Sequence, residues 1–386
     1  MNSIPFTALF ISNDPTIFEE ESATRARMRA YADEIGTLHI LSRCKIGYTG
    51  PIDFRDGNLI VHAVHGSKLL SLWFLPKRAK ALILQNNIAI VSAQDPFEHG
   101  FAAMRSVKGT NAKLHIQVHT DFLSPWFTRN SISRSPRTRM SSLNRVRQKL
   151  ANRVLPHADG VRVVSERIRD SLTAQYGNRV PVPSVIPIYV PTILPPKISL
   201  PEHPFTFVFM VIGRLEPEKR IEDILVAFSR IKDTYPGIGL MIVGDGRERT
   251  RLEQWVHNLG LDGRVLFLGN RPDALGLLEN ADGFIQASAY EGYGRTLIEA
   301  ALARVPIITT DVGIIGEVFK GYEDVLATPP GDPANLAALM TGMLEDPSVR
   351  EQYIMRAEKV AKEHLASVHT QPSDIAADLR KVLQNL

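Results

Sequence analysis

Cysteine is almost missing from this sequence, which has one, Cys44, in 386 residues. A single thiol excludes an intrachain disulfide and a zinc site built from cysteines, and it fits a reducing compartment. No apolar run approaches the roughly 20 residues that a membrane-spanning helix needs. The first residues also lack the basic stretch and the small-residue cleavage site of a secretory signal. We therefore expect a cytoplasmic protein.

Length and composition favour a globular protein of two domains. A chain of 386 residues is too long for most single hydrophobic cores. Apolar residues make up 44% and charged residues 22%, which is ordinary for a folded protein and argues against wholesale disorder.

Apolar runs alternate with helical patterns along the whole chain, which is typical of an α/β fold with doubly wound parallel sheets, because such strands are covered on both faces. In the first half this pattern predicts helices at Ser22–Ile35 and Gly100–Ser106 and strands at Phe6–Ser12, Leu38–Leu41, Leu59–Val64, Ile88–Ser92 and Leu114–His119. In the second half it predicts helices at Ile221–Thr234 and Arg247–Leu259 and strands at Phe205–Ile212, Gly239–Val243, Val265–Leu268, Gly283–Ala287, Pro306–Thr310 and Asp324–Ala327.

A proline-rich connection separates the two halves, with eight prolines from Pro181 to Pro204. Proline removes backbone donors and disfavours helix before it, so this stretch suits neither a helix nor a central strand. We place the hinge here and expect one domain over 1–190 and a second over 191–370. A last helix, within 371–386, has no strand after it and is expected to cross back to the first domain.

The strongest local motif follows the predicted strand Gly283–Ala287. Two glutamates, separated by seven residues, flank a glycine-rich turn at the start of a helix. The glycines allow close approach of a ligand, the free amides of the helix start suit a phosphate, and the carboxylates suit sugar and ribose hydroxyls. The alternative is an ordinary turn with surface glutamates. The candidate residues are Glu291, Gly292, Tyr293, Gly294, Arg295, Thr296 and Glu299.

A second motif, which contains Gly213, Arg214 and Lys219, follows the strand Phe205–Ile212. An arginine fork and a lysine point charge can hold a diphosphate in place of a metal ion. The alternative is two solvated cations at a helix start. Positive charge is mildly unfavourable there, which favours the functional interpretation.

Two weaker turns follow the predicted strands Gly239–Val243 and Pro306–Thr310 of the second half. One contains Gly244 and Asp245, and the other runs from Asp311 to Glu317. Because parallel strands end at the same edge of a sheet, all four turns are expected to converge on one ligand site.

The order and spacing of the Gly-Arg-Leu-x-x-x-Lys run, the Gly-Asp-Gly-x-Glu turn and the Glu-x7-Glu element resemble glycosyltransferase family 4. The resemblance covers nearly all of the second half and is looser in the first, through residues 94–100 and 118–122. It implies the GT-B fold, in which two Rossmann-like domains face each other across a cleft. It also implies retaining transfer from a nucleotide sugar, without a metal and without a cofactor beyond the donor substrate.

The resemblance also implies a role for several residues. It puts Arg214 and Lys219 on the diphosphate, Glu291 on the sugar hydroxyls and Glu299 on the ribose. It puts His119, at the end of a first-domain strand, beside the transferred sugar. Base recognition, largely by backbone groups, is expected near Asn270 and Arg271.

One departure from the family lies after the first strand. Many relatives have a glycine-rich loop there, whereas Ser12–Ser22 contains no glycine and several acidic residues. This loop must be arranged differently, which puts its contribution to phosphate binding in doubt.

The segment 122–158 has no acidic residue. Trp126 and Phe127 stand at its start, and its cations suit an anionic membrane surface, at about 1 kcal/mol each. The alternative is a solvated loop and helix. Nucleic acid is disfavoured because no helix-turn-helix, RRM-like or zinc signature accompanies the basic residues, which are Arg129, Arg134, Arg137, Arg139, Arg145, Arg147, Lys149 and Arg153.

The motifs, together with what the resemblance implies, lead us to expect a metal-independent hexosyltransferase that uses a UDP- or GDP-sugar donor. The expected acceptor is a hydroxyl of a lipid-linked or cell-surface glycan precursor, reached from the cytoplasm or from the inner face of the membrane. Three alternatives stay open: a catalytically silent scaffold or partner subunit of the same fold, a nucleotide-sugar epimerase, and a glycogen-type phosphorylase, which would need a cofactor lysine and inorganic phosphate.

Overall fold

The structure is a computed structural model, and it describes residues 4–44, 47–65, 68–128, 142–190, 194–368 and 371–384. The described residues form two compact units. The first contains residues up to 123, residues 142–187 and the C-terminal residues from 371, and the second contains 124–128 and the residues from 188 to 368. The division thus differs from the predicted one, since 124–128 and 188–190 join the second unit.

The first unit is built on one sheet with the strand order β3-β4-β2-β1-β5-β6-β7-β8. Its strands are parallel except for the edge strand β3, which pairs antiparallel with β4. The strands are β1 (Phe6–Ser12), β2 (Gly36–Arg43), β3 (Asp53–Asp56), β4 (Leu59–Val64), β5 (Ile90–Ala93), β6 (Lys113–Val118), β7 (Gly160–Val163) and β8 (Ser184–Val185).

The second unit is built on a parallel sheet with the strand order β11-β10-β9-β12-β13-β14. Strand β9 lies between β10 and β12, so the order along the chain reverses beside it, which is where open α/β sheets bind ligands. The strands are β9 (Phe207–Ile212), β10 (Ile238–Val243), β11 (Val265–Gly269), β12 (Gly283–Gln286), β13 (Ile307–Thr310) and β14 (Leu326–Thr328).

Helices cover the faces of both sheets. The described helices of the first unit are α1–α5 and α12, and those of the second are α6–α11. They are α1 (Ala23–Ile35), α2 (Lys68–Asn86), α3 (Glu98–Val107), α4 (Ser142–Val154), α5 (Glu166–Tyr176), α6 (Ile221–Ile231), α7 (Arg249–Asn258), α8 (Ala274–Leu278), α9 (Arg295–Leu302), α10 (Pro333–Glu345), α11 (Pro347–Val368) and α12 (Gln371–Gln384). Among the described residues, no helix is both long enough and apolar enough to cross a bilayer.

Helix α12 packs against α1, β6 and β7 of the first unit. Ile375 and Leu379 are buried in the core of this unit together with Ile35 of α1. Gly160 makes the close approach to β7 possible, because a Cβ atom at this position would lie 2.3 Å from Cγ2 of Val382.

The alternation of strands and helices confirms the doubly wound parallel sheets that the sequence predicts. The predicted start of the last strand, at Asp324, is wrong: β14 begins at Leu326. The backbone amide of Lys320 donates to the Asp324 carboxylate over 2.9 Å, which holds this residue in a turn before the strand. Strands β3, β7 and β8 were not predicted.

Candidate functional site

Three loops meet at the carboxyl ends of β9, β10 and β11 in the second unit. The amide of Gly213 donates to the carbonyl of Val243 over 3.0 Å, and the amide of Gly244 donates to the carbonyl of Gly269 over 2.7 Å. These bonds hold the turns after the three strands side by side. The Gly213 and Gly244 motifs, far apart in sequence, thus belong to one edge of the sheet.

Gly244 is required by the closeness of these turns. Its φ is 140°, and a Cβ atom here would lie 1.9 Å from the carbonyl oxygen of Gly213. The neighbouring Asp245 is exposed, and its carboxylate accepts from the amide of Gly246 over 2.7 Å. A ligand at this edge of the sheet would therefore contact backbone atoms of these turns before it contacts side chains.

Lys219 and Glu291 form a close ion pair between the loops after β9 and β12. The Glu291 oxygen that faces Lys219 also accepts from the Ser288 hydroxyl over 2.7 Å. The amide of Ala289 donates to the carbonyl of Glu218 over 2.7 Å and joins the two loops through the backbone. The predicted diphosphate cation and the predicted sugar carboxylate are therefore neighbours.

Arg214 presents its guanidinium to solvent, with 74% of the side chain exposed. Its partner in the described residues is Glu218, at 3.3 Å, which is a long and weak contact. An exposed, weakly held guanidinium is available for an incoming anion.

The first turn of α9 has no side-chain cap. Its N-cap is Gly294, with φ at 92°, and the first amides of a helix have no intrahelical acceptor. The hydroxyl of Thr296 donates to Gln286 Oε1 over 2.7 Å. The Gln286 Nε2 atom is buried and has no hydrogen-bond partner in the described residues. An uncapped helix start beside an orphan amide donor suits an anionic ligand.

Glu299 is 2% exposed and lies in the second turn of α9. Burial raises the pKa of this carboxyl group, and the positive charge of Arg295 offsets only part of that rise. Arg295 Nε lies 2.9 Å from Oε1 but is not aligned for a hydrogen bond, so among the described residues this buried oxygen has no donor. Such an oxygen suits a ligand hydroxyl.

The side chain of Tyr293 points into the protein. It is 2% exposed, and its hydroxyl lies 2.5 Å from Nε2 of His364. The Tyr293 carbonyl accepts from the amide of Ile314 over 3.0 Å. Tyr293 is thus a core residue that shapes the turn around Gly292, and its phenol is not open to a ligand.

Asn270 and Arg271 follow β11, next to the Gly244 turn. Asn270 is exposed. The Arg271 guanidinium is held by the Asp273 carboxylate through two bonds of 2.7 and 2.6 Å. The arginine fork is therefore already engaged, which leaves Asn270 and the local backbone as the more accessible groups.

In the first unit, His119 stands just after β6 and joins a buried polar network. Its Nε2 atom lies 3.1 Å from Oε1 of Gln117, which also accepts from Arg162 Nη1 over 2.8 Å. Burial, followed by the charge of Arg162, lowers the pKa of His119 to about 3. His119 is therefore a neutral imidazole at ordinary pH. Gln117 and Arg162 were not predicted, although polar residues inside apolar strands are the signal that marks them.

The loop after β1 is closed by side chains in place of glycines. Asp14 accepts from the amide and hydroxyl of Thr16 over 3.0 and 2.7 Å, and from the hydroxyl of Thr24 over 2.7 Å. These bonds stabilise a short 3-10 turn, Pro15–Phe18, and both carboxylate oxygens of Asp14 are engaged in them. The loop is thus arranged around an acidic side chain.

The two aromatic residues at the start of the basic segment pack within the second unit. The Arg220 guanidinium stacks on Trp126, 5.1 Å from the ring centre, and Phe127 is buried against Tyr290. Both rings are thus engaged within the unit, and the membrane contact of this segment stays a prediction. The basic residues Arg129, Arg134, Arg137 and Arg139 lie outside the described residues.

Two family models match the chain. The model of glycosyl transferases group 1 matches residues 196–360, and the model of glycosyltransferase family 4 matches residues 30–192. Together they account for most of the sequence and meet at the proline-rich connection.

Curated relatives match part of the chain. Glycogen synthase from Mycobacterium tuberculosis is 32% identical over 164 residues, which is 41% of this chain and 38% of the relative. The lipopolysaccharide core biosynthesis glycosyltransferase LpsD of Rhizobium meliloti is 34% identical over 146 residues, which is 38% of this chain and 41% of the relative. The matches thus span about two fifths of each relative.

Solved structures match nearly the whole chain. Sucrose-phosphate synthase from Thermosynechococcus elongatus superimposes with a TM-score of 0.78 at 18% identity, over 97% of this chain and 99% of that one. Anabaena HepE in complex with UDP and glucose gives 0.72 at 21% identity, over 97% and 100%. At such identities the match concerns the fold, and it confirms the predicted GT-B class of two Rossmann-like units.

Proposed function

Because the chain belongs to glycosyltransferase family 4, of the glycosyl transferases group 1 type, we propose that it transfers a hexose from a UDP- or GDP-sugar to an acceptor hydroxyl. The observation that carries the proposal is the Lys219–Glu291 pair. In this pair, a cation that can bind phosphate lies against a carboxylate that can accept from sugar hydroxyls, beside the uncapped start of α9 at the carboxyl edge of one sheet.

These contacts support the following arrangement of the donor site. Arg214, Lys219 and the first amides of α9 hold the diphosphate, because each offers donors or positive charge to phosphate oxygens. Glu291 accepts from sugar hydroxyls, and Glu299 accepts from the ribose with its unpartnered Oε1. The backbone beside Asn270 receives the base. HepE, whose structure contains UDP and glucose, supports a nucleotide-sugar donor.

We propose transfer with retention of configuration. The bond from the anomeric carbon to the β-phosphate oxygen breaks, and its electron pair stays on the phosphate. The acceptor oxygen bonds to the same face of the sugar, and its proton passes to a donor phosphate oxygen. Arg214 and Lys219 stabilise the leaving negative charge, which is usually the largest catalytic contribution. His119 orients the sugar as a neutral hydrogen-bonding group and is not a nucleophile.

The same two cations support a metal-independent reaction, in which the nucleotide sugar is a substrate and no further cofactor takes part. The activity should therefore survive treatment with EDTA. The configuration of the new linkage, read from the proton coupling of the anomeric position in the product, tests retention separately.

The proposed acceptor is a lipid-linked or cell-surface glycan precursor. Several relatives carry names from polysaccharide assembly, including lipopolysaccharide core biosynthesis and exopolysaccharide phosphotransferase. A growing glycan is presented at a membrane, so an enzyme that extends it from the cytoplasmic side gains from docking there.

Two features of the first unit support docking on an anionic membrane. Helix α4 exposes Leu143 and Val146 beside basic side chains. A cavity of about 1120 Å³ near the end of this helix is lined in part by apolar side chains, which include Phe101 and Met104. No carboxylate occurs among the described residues that line it, and its cationic side chains are Lys80, Arg105, Lys108 and Arg153. Flotation should show binding to vesicles with phosphatidylglycerol and none to neutral vesicles.

The deciding experiment measures thermal stability with UDP, GDP, ADP and their sugar conjugates. A ligand at about 100 times its dissociation constant should stabilise the native state by about 2.7 kcal/mol. A shift with one nucleotide series supports the donor site and identifies its base. No shift with any of them favours the silent scaffold, and conversion of the nucleotide sugar to an epimer without acceptor favours the epimerase.

A further inference from the structure

A chain of buried hydrogen bonds runs from His119 to the C-terminal helix within the first unit. Gln117 Nε2 donates to the Ser92 hydroxyl over 2.9 Å, and Ser92 Oγ lies 2.8 Å from Nδ1 of His115. The other ring nitrogen of His115 lies 3.0 Å from the carboxylate of Asp378 on α12. Of these residues, Ser92, Gln117 and His115 are at most 3% exposed.

Arg162 determines how the Gln117 side-chain amide is oriented in this series of hydrogen bonds. A guanidinium has donors and no acceptor, so the Gln117 atom that lies 2.8 Å from Arg162 Nη1 has to be the carbonyl oxygen. The Arg162 side chain is itself fixed, because it donates to the carbonyls of Ile186 and Pro187 over 2.9 to 3.1 Å. If the Gln117 amide were flipped, its NH2 group would face the Arg162 NH donor, so the flipped orientation is disfavoured.

The tautomer of His119 follows from this orientation. Its Nε2 atom lies 3.1 Å from the same Gln117 oxygen and 3.5 Å from Arg162 Nη1. The shorter contact is to an acceptor, so Nε2 carries the hydrogen. In a neutral ring Nδ1 is then unprotonated, and it has no partner among the residues that the structure describes.

We infer that Gln117 and Arg162 are positioning residues that lock His119 as the Nε2–H tautomer, so that Nδ1 is presented as a hydrogen-bond acceptor to a hydroxyl of the sugar substrate. The inference rests on the proposed function for the role of His119. It adds two residues of adjacent strands, β6 and β7, that set which substrate groups this histidine can bind.

The charges around His119 explain why its neutrality matters. Arg162 on β7, Arg27 on α1 and His115 on β6 disfavour its protonation, and Asp95 after β5 favours it. Asp95 is itself paired with His99. Positive charge develops on the sugar ring as the phosphate leaves, and an imidazolium nearby would oppose that charge. A neutral acceptor orients the sugar without this repulsion.

Nitrogen-15 NMR of the selectively His-labelled full chain tests the tautomer without any substrate. The two ring nitrogens have different chemical shifts when protonated and unprotonated, and loss of the signals in His119→Asn assigns them. We expect an Nε2–H, Nδ1-unprotonated ring at pH 7 that persists down to pH 5. An Nδ1–H ring, or an imidazolium at pH 7, would overturn the inference.

Gln117→Glu tests the positioning role. The variant keeps an oxygen toward His119 and Arg162 but adds a negative charge, which should raise the protonation midpoint of His119 by roughly one pH unit or more. The acid-side fall of its kcat should then begin about one pH unit or more above that of the wild type, whose kcat stays flat from pH 8 to 5. The loss should fall on kcat more than on KM, because the imidazolium opposes charge that develops only in the transition state.

Gln175→Glu is the matched control, since it makes the same change on an exposed residue of α5 in the same unit. It should leave the His119 signals and the pH profile unchanged. Equal pH profiles for Gln117→Glu and Gln175→Glu would overturn the positioning role. A failure of the proposed function is separate, since it would appear as absence of sugar transfer by the wild type, whatever the NMR signals show.

Discussion

Lys219 and Glu291 stand 72 positions apart in the sequence and form an ion pair at the ends of two neighbouring strands, β9 and β12. The Lys219 side chain is 21% exposed and that of Glu291 15%, so the pair is largely withdrawn from water. In the absence of a ligand each group neutralises the other. In the proposed function, a diphosphate and a sugar would compete for the same two charges.

Lys219→Ala should abolish most of the thermal stabilisation by the nucleotide diphosphate. The variant removes a charge-assisted bond to phosphate, worth about 1.5–3 kcal/mol, which is roughly 10- to 150-fold in the dissociation constant. Thermal shift and calorimetric titration with the nucleotide that stabilises the wild type measure the loss. Lys320→Ala is the control, because Lys320 is exposed in the same unit and pairs loosely with Glu323 at 3.6 Å. Equal affinity in both variants would contradict the assignment.

Arg214→Ala should separate phosphate binding from base binding. The exposed side chain contributes little to folding, so we expect a change in unfolding free energy within about 0.5 kcal/mol. Affinity for the nucleoside diphosphate should fall about tenfold or more, whereas affinity for the unphosphorylated nucleoside should stay the same. Titration calorimetry with both ligands gives the comparison. Equal losses for the two ligands would place Arg214 at the base, and no loss would remove it from the site.

Gly244→Ala should damage both the fold of the second unit and the donor site. The added Cβ atom would collide with the Gly213 carbonyl, and φ is positive here, so we expect destabilisation of about 2 kcal/mol or more. Gly342→Ala is the control, because Gly342 lies in α10 with open space around its Cβ position. This second change should stabilise the protein by about 0.5–1 kcal/mol. Urea unfolding of both variants measures these changes. An unchanged free energy of unfolding in Gly244→Ala would refute the close approach of the two turns.

His39 should make the first unit less stable in mild acid. It is 2% exposed, and burial, followed by the charges of His62 and Arg55, lowers its pKa to about 4. Between the unfolded pKa near 6.5 and this value, the unfolded chain binds a proton that the folded state does not. Stability therefore falls as the pH falls, by about 2 kcal/mol at pH 5 for this group.

The variant His39→Asn tests this dependence. An asparagine amide still offers a donor to Nε2 of His62, which lies 2.9 Å from His39 Nδ1 in the wild type, but it does not titrate. The loss of unfolding free energy between pH 7 and pH 5 should be smaller in the variant by about 2 kcal/mol. Histidines that do not contact His39, such as His99 with its raised pKa, contribute equally to both proteins. The same loss in both would show that His39 titrates normally.

The sequence alone determined the fold class and the location of the motifs that form the proposed donor site. Continuous apolar runs such as Phe6–Ser12 indicate where a buried parallel strand lies, because each residue of such a strand faces a covered surface. Turns such as that around Gly244 can be recognised locally, since backbone geometry there depends on the residue itself. Strand β7 escaped prediction because Arg162 interrupts its apolar pattern.

Only the tertiary structure decided which side chains meet. The Lys219–Glu291 pair exists because β9 lies beside β12, and the strand order is not contained in any local pattern. The same holds for Tyr293, whose phenol pairs with His364 instead of a ligand, and for Trp126, which stacks on Arg220. Arg162 finds Gln117 across two paired strands. Local pattern selects an element and its buried face, whereas packing between distant elements selects the partners of each polar group.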